Sequence, residues 1–230
     1  RALVEGLKYI IPFSVDIVNM SLAVLCDEYK KEIEVLCSRI RDNGAIINVS
    51  VLNHASTSFP ASLDSTLGIR GAFNVDPYKI WYNAKNEIQC VSNLTPVLVS
   101  NIDCKKTFFG GNSKATALVS GLLAKAMYTM QIDGENALKS LVIKTDWCED
   151  DIQKEFTVQN KEKVGVELLA LSEQVCDFLK FNKKQRENIL ERTLFPPSIY
   201  IEKEQFICLI EYLSAFYHKE VILGQFEISN

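Results

Sequence analysis

Two near-continuous apolar runs, "DIVNMSLAV" at 16–24 and "AIINVSVL" at 45–52, flank the charged but periodic segment "DEYKKEIEVLCSRIRDNG" at 27–44. A strand with one wet face alternates polar and apolar residues; these two runs do not, so each calls for cover on both faces. The segment between them sets Ile33, Leu36, Cys37 and Ile40 at helical spacing and stops at Asn43-Gly44. Glycine there is a stop signal because it accepts the left-handed conformation that ends many helices. Strand, amphipathic helix, strand is a crossover unit, and it commits the first part of the chain to a layered α/β domain with a parallel sheet. The alternation continues to about residue 145. Ala2 to Ile11 reads as a helix, 66–73, 80–84, 88–92 and 95–100 as short strands, and Ser113 to Tyr128 and Glu135 to Ile143 as helices. In such a domain the functional loops belong at the carboxyl ends of the strands.

Charge and cysteine usage narrow the function classes. A net charge of −4 over 230 residues supplies no basic field, which argues against nucleic acid as a partner. No apolar run reaches the roughly 18 residues of a membrane span and no signal peptide is present, so a cytoplasmic chain without membrane contact is expected. The seven cysteines, at 26, 37, 90, 104, 148, 176 and 208, are dispersed and form no CxxC pair. That argues against a disulfide framework or a metal site; they are expected to be reduced and mostly buried, with no cofactor or metal implied. The sequon Asn48-Val49-Ser50 lies inside an apolar run and reads as a chance match. The chain opens on Arg1 within a helical pattern, as a fragment, a processed product, half of a split protein or a shortened chain would.

The chemistry centres on "FFGGNSKATALVSGLLAKA", residues 108–126, where two glycines open onto a helix of small apolar residues. A phosphate loop is not its reading, because the G-x-x-x-x-G-K-[ST] spacing is absent. Three stretches instead carry a resemblance in order: "DIVNMSLA" at 16–23, "IINVSVLNHASTSFPAS" at 46–62 and "GNSKATALVSG" at 111–121. Together they resemble the C-terminal half of the subtilisin-like serine proteases, over residues 1–145. The resemblance implies that Ser113 is the nucleophile and Asn53 the side-chain donor of the oxyanion hole, acting on a peptide or acyl substrate. Acyl transfer needs such a pair: a serine at an exposed turn, and a donor where negative charge develops.

The departures are equally specific. Asn112, Lys114, Ala117 and Leu118 stand where the family has Thr, Met, Pro and His, and Leu52 replaces a glycine. Lys114 is expected to be a solvated first-turn lysine rather than an electrostatic partner of Ser113. The family's Asp and His precede the region matched here, and the only histidines are His54 and His218. His54 reads as a loop residue facing solvent, and His218 lies in the other half. A triad needs both a base and a carboxylate to orient it, so this chain is expected to require an N-terminal fragment or a separate chain to supply them. The alternative is an inactive subtilisin-like scaffold that binds a partner, and a structural turn at the glycines is compatible with it.

Composition shifts at 146–163, "DWCEDDIQKEFTVQNKEK", which reads as a charged linker with a solvated acidic cluster at Glu149 to Asp151. Residues 164–230 then carry two helical stripes: Val164, Leu168, Leu171, Val175, Phe178 and Leu179, and Phe206, Leu209, Ile210, Leu213 and Tyr217. Prolines in "TLFPPSIYI" interrupt the connection, which implies a small bundle of three or four helices. "TLF" at 193–195 and "EKEQFICLIEYLSAFYHKEV" at 202–221 resemble an acyl or peptidyl carrier domain. Lys203 occupies the position of the phosphopantetheine-bearing serine, and Ser198 is a weak substitute five residues early. The resemblance therefore implies a unit that docks a carrier or biosynthetic partner rather than a working carrier.

Overall fold

The computed structural model describes residues 1–53, 55–73, 75–100, 106–154, 166–183, 186 and 203–218. They form two compact units, Arg1–Pro96 with Phe109–Cys148, and Val97–Phe108 with Glu149–Ser229.

The first unit is the layered α/β domain. Its elements run α1 (Ala2–Ile10), β1 (Ile17–Met20), α2 (Lys30–Asp42), β2 (Ile46–Ser50), β3 (Leu67–Ala72), β4 (Ile80–Tyr82), β5 (Cys90–Asn93), α3 (Gly111–Met130), α4 (Gly134–Leu141) and β8 (Val142–Lys144). The strands make one six-stranded sheet in the order β1-β2-β3-β5-β4-β8. β1, β2, β3 and β5 are parallel, with Ile17 beside Ile46, Asn48 beside Leu67 and Ile69 beside Cys90. β4 runs antiparallel to β5, pairing Trp81 with Val91, and parallel to β8. The sheet is thus mostly but not wholly parallel, since three-residue strands such as β4 carry no directional signal of their own.

Both faces are covered, as the non-alternating runs require. On one face α1 and α2 bury Val4, Leu7, Ile33, Leu36, Cys37 and Ile40 against Met20, Ile47, Val49 and Val51. On the other, α3 and α4 set Ala115, Val119, Leu123, Ala137 and Leu141 against Leu67, Ile69, Ile80 and Cys90. β2 shows the division residue by residue: Ile47 and Val49 belong to the first core, while Asn48 turns to Ser120 of α3. Asn48 is completely buried, so its sequon offers no room for a glycan. Full burial of one such aliphatic side chain contributes about 1.5–3 kcal/mol.

Local signals set the element ends. α2 stops at Gly44, whose φ of +98° lies in the left-handed region. Asp133 caps α4, its side chain accepting from the Asn136 N–H at 2.8 Å. Trp147, almost fully buried, donates its Nε1–H to the Gln89 carbonyl at 2.9 Å. Its own carbonyl accepts from the side-chain amides of Asn83 and Asn86.

The second unit contains the paired strands β6 (Val97–Ser100) and, but for its last residue, β7 (Lys106–Phe109), together with α5 (Glu149–Lys154), α6 (Val166–Phe178) and α7 (Lys203–Tyr217). The acidic residues Glu149 to Asp151 form the first turn of α5, where they complement the positive helix end. α6 and α7 pack through Phe178 and Tyr212, whose ring centroids are 5.0 Å apart, and the Tyr212 hydroxyl donates to Gln174 at 2.9 Å. Val175, Phe206, Leu209 and Ile210 of the two stripes are buried; Tyr217 is exposed. Lys203 opens α7. His54, Val164, "TLF" at 193–195 and Ser198 lie outside the described residues.

The cysteines divide more evenly than expected. Cys37, Cys90 and Cys176 are buried, Cys26, Cys148 and Cys208 are exposed, and no disulfide joins any two of them; Cys104 lies outside the described residues. Burial pushes the Cys37 thiol up to about 11 and raises Cys90 still further, so both stay protonated at neutral pH.

Candidate functional site

The carboxyl ends of β1, β2, β3 and β5 converge on the first turn of α3. The helix begins at Gly111, two residues before the expected Ser113. Gly111 adopts a φ of +71° and a Cβ there would lie 3.1 Å from Asn53 Oδ1, so conformation and space both call for glycine. Ser113 falls in the first turn, half-buried. No acidic residue shares that turn, which leaves the positive end of the helix dipole available to a developing negative charge.

Asn53, far from Ser113 in sequence, meets the turn that holds it through Gly111 and Asn112. Asn53 follows β2, is exposed, and accepts the Asn112 backbone N–H on Oδ1 at 3.2 Å. With the oxygen so engaged, the Asn53 side-chain N–H groups are the part of that amide left to donate. Ser21, just after β1, donates its hydroxyl to the Ser113 carbonyl at 3.4 Å.

The neighbours of Ser113 are both anchored. Asn112 donates Nδ2–H to the Val51 carbonyl at 3.0 Å and accepts the Gly71 N–H on Oδ1 at 2.9 Å, tying the first turn of α3 to β3 and to the residue after β2. Its carbonyl accepts from the Thr116 hydroxyl at 2.8 Å. Lys114 corrects the sequence expectation, for it is buried, at 7% exposure, rather than solvated. Its ammonium donates to the Asn93 carbonyl and Oδ1 at 3.1 and 2.8 Å. The reason is positional: residue 114 of α3 faces the end of β5, and a long aliphatic stem can fill that contact while its tip reaches Asn93. Burial draws the Lys114 pKa down to about 8.

Further along α3, Ser120 accepts from Asn48 Nδ2 at 2.8 Å and lies 2.8 Å from Asn19 Oδ1. Asn19 and Asn48 are register partners on β1 and β2. Ser21, Asn93 and the bridging role of Asn112 are not singled out by the sequence. The available signal was their position, polar residues at the ends of apolar strands or at the mouth of a helix.

His218 is exposed, in the second unit, with a φ of +51°. Among the described residues no group of three or more His, Cys, Asp or Glu is arranged to hold a metal ion, and no helix is long and apolar enough to cross a membrane.

Comparison with known proteins places the fold. No family profile matches the chain, and no curated protein matches it. Among solved structures it is similar to the prenylagaramide maturation protease PagA, with a TM-score of 0.50 and 18% identity, over 65% of this chain and 59% of that one. It is also similar to the PatG macrocyclase solved in complex with peptide, with a TM-score of 0.51 and 16% identity, over 65% of this chain and 49% of that one. The fold is subtilisin-like, and the chain spans about half of one neighbour's length and about three fifths of the other's.

Proposed function

We propose that this chain is the nucleophile-bearing part of a subtilisin-like serine hydrolase or acyl-transfer domain acting on a peptide or acyl substrate. Ser113 is the nucleophile and Asn53 the oxyanion donor. The observation that carries the reading is the Asn112 N–H to Asn53 Oδ1 hydrogen bond at 3.2 Å, which joins the loop after β2 to the turn holding Ser113. A serine at the positive end of α3 with an amide donor beside it is half of what acyl transfer needs; a base and its orienting carboxylate are the other half. In this proposal the Asp and His come from an N-terminal subtilisin-like segment or a separate chain, in a cytoplasmic setting that keeps the thiols reduced. That the two neighbours are a maturation protease and a macrocyclase with bound peptide favours a peptide over a simple ester.

A second reading has its own support. The Lys114 ammonium is engaged by Asn93, so the cation next to Ser113 in sequence is held elsewhere than as its electrostatic partner. That suits an inactive subtilisin-like scaffold, fused through 146–163 to a carrier-like module at 164–230 that docks a carrier or other biosynthetic protein.

One experiment separates the readings. The chain is incubated with a fluorophosphonate probe, alone and with the polypeptide encoded upstream of it, beside a Ser113→Ala control. Labelling at Ser113 that depends on the second polypeptide supports the hydrolase. No labelling in either condition, with full biological activity retained by Ser113→Ala, leaves the scaffold.

A further inference from the structure

We infer that Asn112 is a positioning residue that fixes the spacing between Ser113 and Asn53, an inference that rests on the roles proposed for those two residues. All four polar groups of Asn112 are committed. Its backbone N–H holds Asn53 Oδ1 at 3.2 Å, its carbonyl accepts from Thr116, its side-chain oxygen accepts from Gly71 N–H and its side-chain nitrogen donates to the Val51 carbonyl. Val51 lies two residues before Asn53, and Asn112 one before Ser113. The link is reciprocal: the Asn112 side chain grips the backbone after β2, and the side chain after β2 grips the Asn112 backbone. A rotation of the α3 first turn that moves Ser113 away from Asn53 must break both bonds. It must also break the bond to Gly71, which holds the turn against the neighbouring strand β3.

A side-chain amide suits this place because it offers a donor and an acceptor at once. Alanine offers neither and leaves the Gly71 N–H without its partner; aspartate keeps the acceptor but turns a carboxylate oxygen toward the Val51 carbonyl; threonine can serve both roles through one hydroxyl. The predicted order is therefore asparagine, then threonine, then aspartate and alanine.

The test uses the whole chain, with the second polypeptide wherever reactivity is read. The first readout needs no reactivity: the side-chain amide resonances of Asn53 and the exchange rate of the Gly71 N–H, by NMR. Asn112→Ala is expected to shift or broaden the Asn53 signals and to speed Gly71 exchange at least tenfold, with Asn112→Thr restoring both in part. The second readout is the rate of fluorophosphonate labelling at Ser113, expected to fall at least tenfold in Asn112→Ala and to be partly rescued by threonine. Unchanged Asn53 signals in Asn112→Ala overturn the inference, whatever the labelling does. So does an unchanged labelling rate in a variant whose Gly71 exchange has sped up. A wild-type chain that is never labelled instead removes the nucleophile reading, and the NMR result still decides whether Asn112 sets the turn. If Asn112→Ala fails to fold, the same comparison is made between asparagine, threonine and aspartate.

Discussion

The ammonium of Lys114 lies 2.8 Å from Asn93 Oδ1, inside the domain and one residue from Ser113. Asn93 spreads that anchorage outward. Its Nδ2 donates to the Phe73 and Val75 carbonyls at 3.2 and 2.8 Å, and its Oδ1 also accepts the Thr95 N–H. One buried cation thereby fastens the segment after β3 to the end of β5.

The cation makes stability pH-dependent in a predictable sense. The folded state releases the Lys114 proton near 8, the unfolded chain only near 10.5. Between those values unfolding takes up a proton, so stability rises with pH across that window, and below it the group costs the fold a few kcal/mol, about 3 by linkage. Lys114→Met keeps the stem and removes the charge. Urea unfolding at pH 7 and at pH 10.5 is expected to show the wild type gaining about 2–3 kcal/mol on the variant between the two. Parallel pH profiles would contradict the assignment.

Gly111→Ala tests the turn itself. A Cβ at φ +71° costs about 1–2 kcal/mol in backbone strain, and it would press on Asn53 Oδ1 at 3.1 Å. The variant is expected to lose about 1–3 kcal/mol by chemical denaturation and to move the Asn53 side chain. A stability within experimental error of wild type would mean that the turn accommodates a side chain freely.

Much of this geometry was legible in the sequence and some was not, for identifiable reasons. The β1-α2-β2 crossover was readable because Ile33, Leu36, Cys37 and Ile40 repeat at helical spacing between two runs that do not alternate. β7 and β8 were missed: Val142-Ile143-Lys144 follows α4 with no turn signal and reads as its continuation. Lys114 was misjudged because first-turn lysines usually reach solvent, and only the three-dimensional placement of Asn93 makes a buried one tolerable. Ser113 and Asn53 stand out through motif order alone, whereas Asn112 reads in the sequence as mere divergence. Its hydrogen bonds run to backbone groups about 40 and 60 positions away, a distance at which no local pattern operates.

Trp147 sits where the composition shifts to a charged linker, and its burial predicts a large effect on the first unit. Trp147→Ala removes a buried indole and leaves the Gln89 carbonyl with only the Asn83 N–H of its two donors, an expected loss of about 3–5 kcal/mol, most of it from the vacated volume. Trp147→Phe keeps most of the apolar area and should cost less than half of that. If both variants unfold at the wild-type urea midpoint, the segment is not integral to the domain.

The α4 cap gives a smaller, cleaner measurement. Asp133→Ala frees the Asn136 N–H and should cost about 1 kcal/mol, while Asp133→Asn should cost markedly less because its side-chain oxygen still accepts. Equal losses in the two variants would point to charge rather than capping.

A helix held to a sheet by hydrocarbon alone can slip by a turn and find new contacts of similar worth. α3 is denied that freedom. Ser120 engages Asn19 and Asn48, and Asn112 engages Val51 and Gly71, two rungs eight residues apart, or about 12 Å along the axis. A shift by one turn would break both sets of hydrogen bonds at once and leave the fully buried Asn48 amide without its acceptor. The helix therefore behaves as a bolt with two detents, and the position of Ser113 over the strand ends is inherited from contacts well behind it.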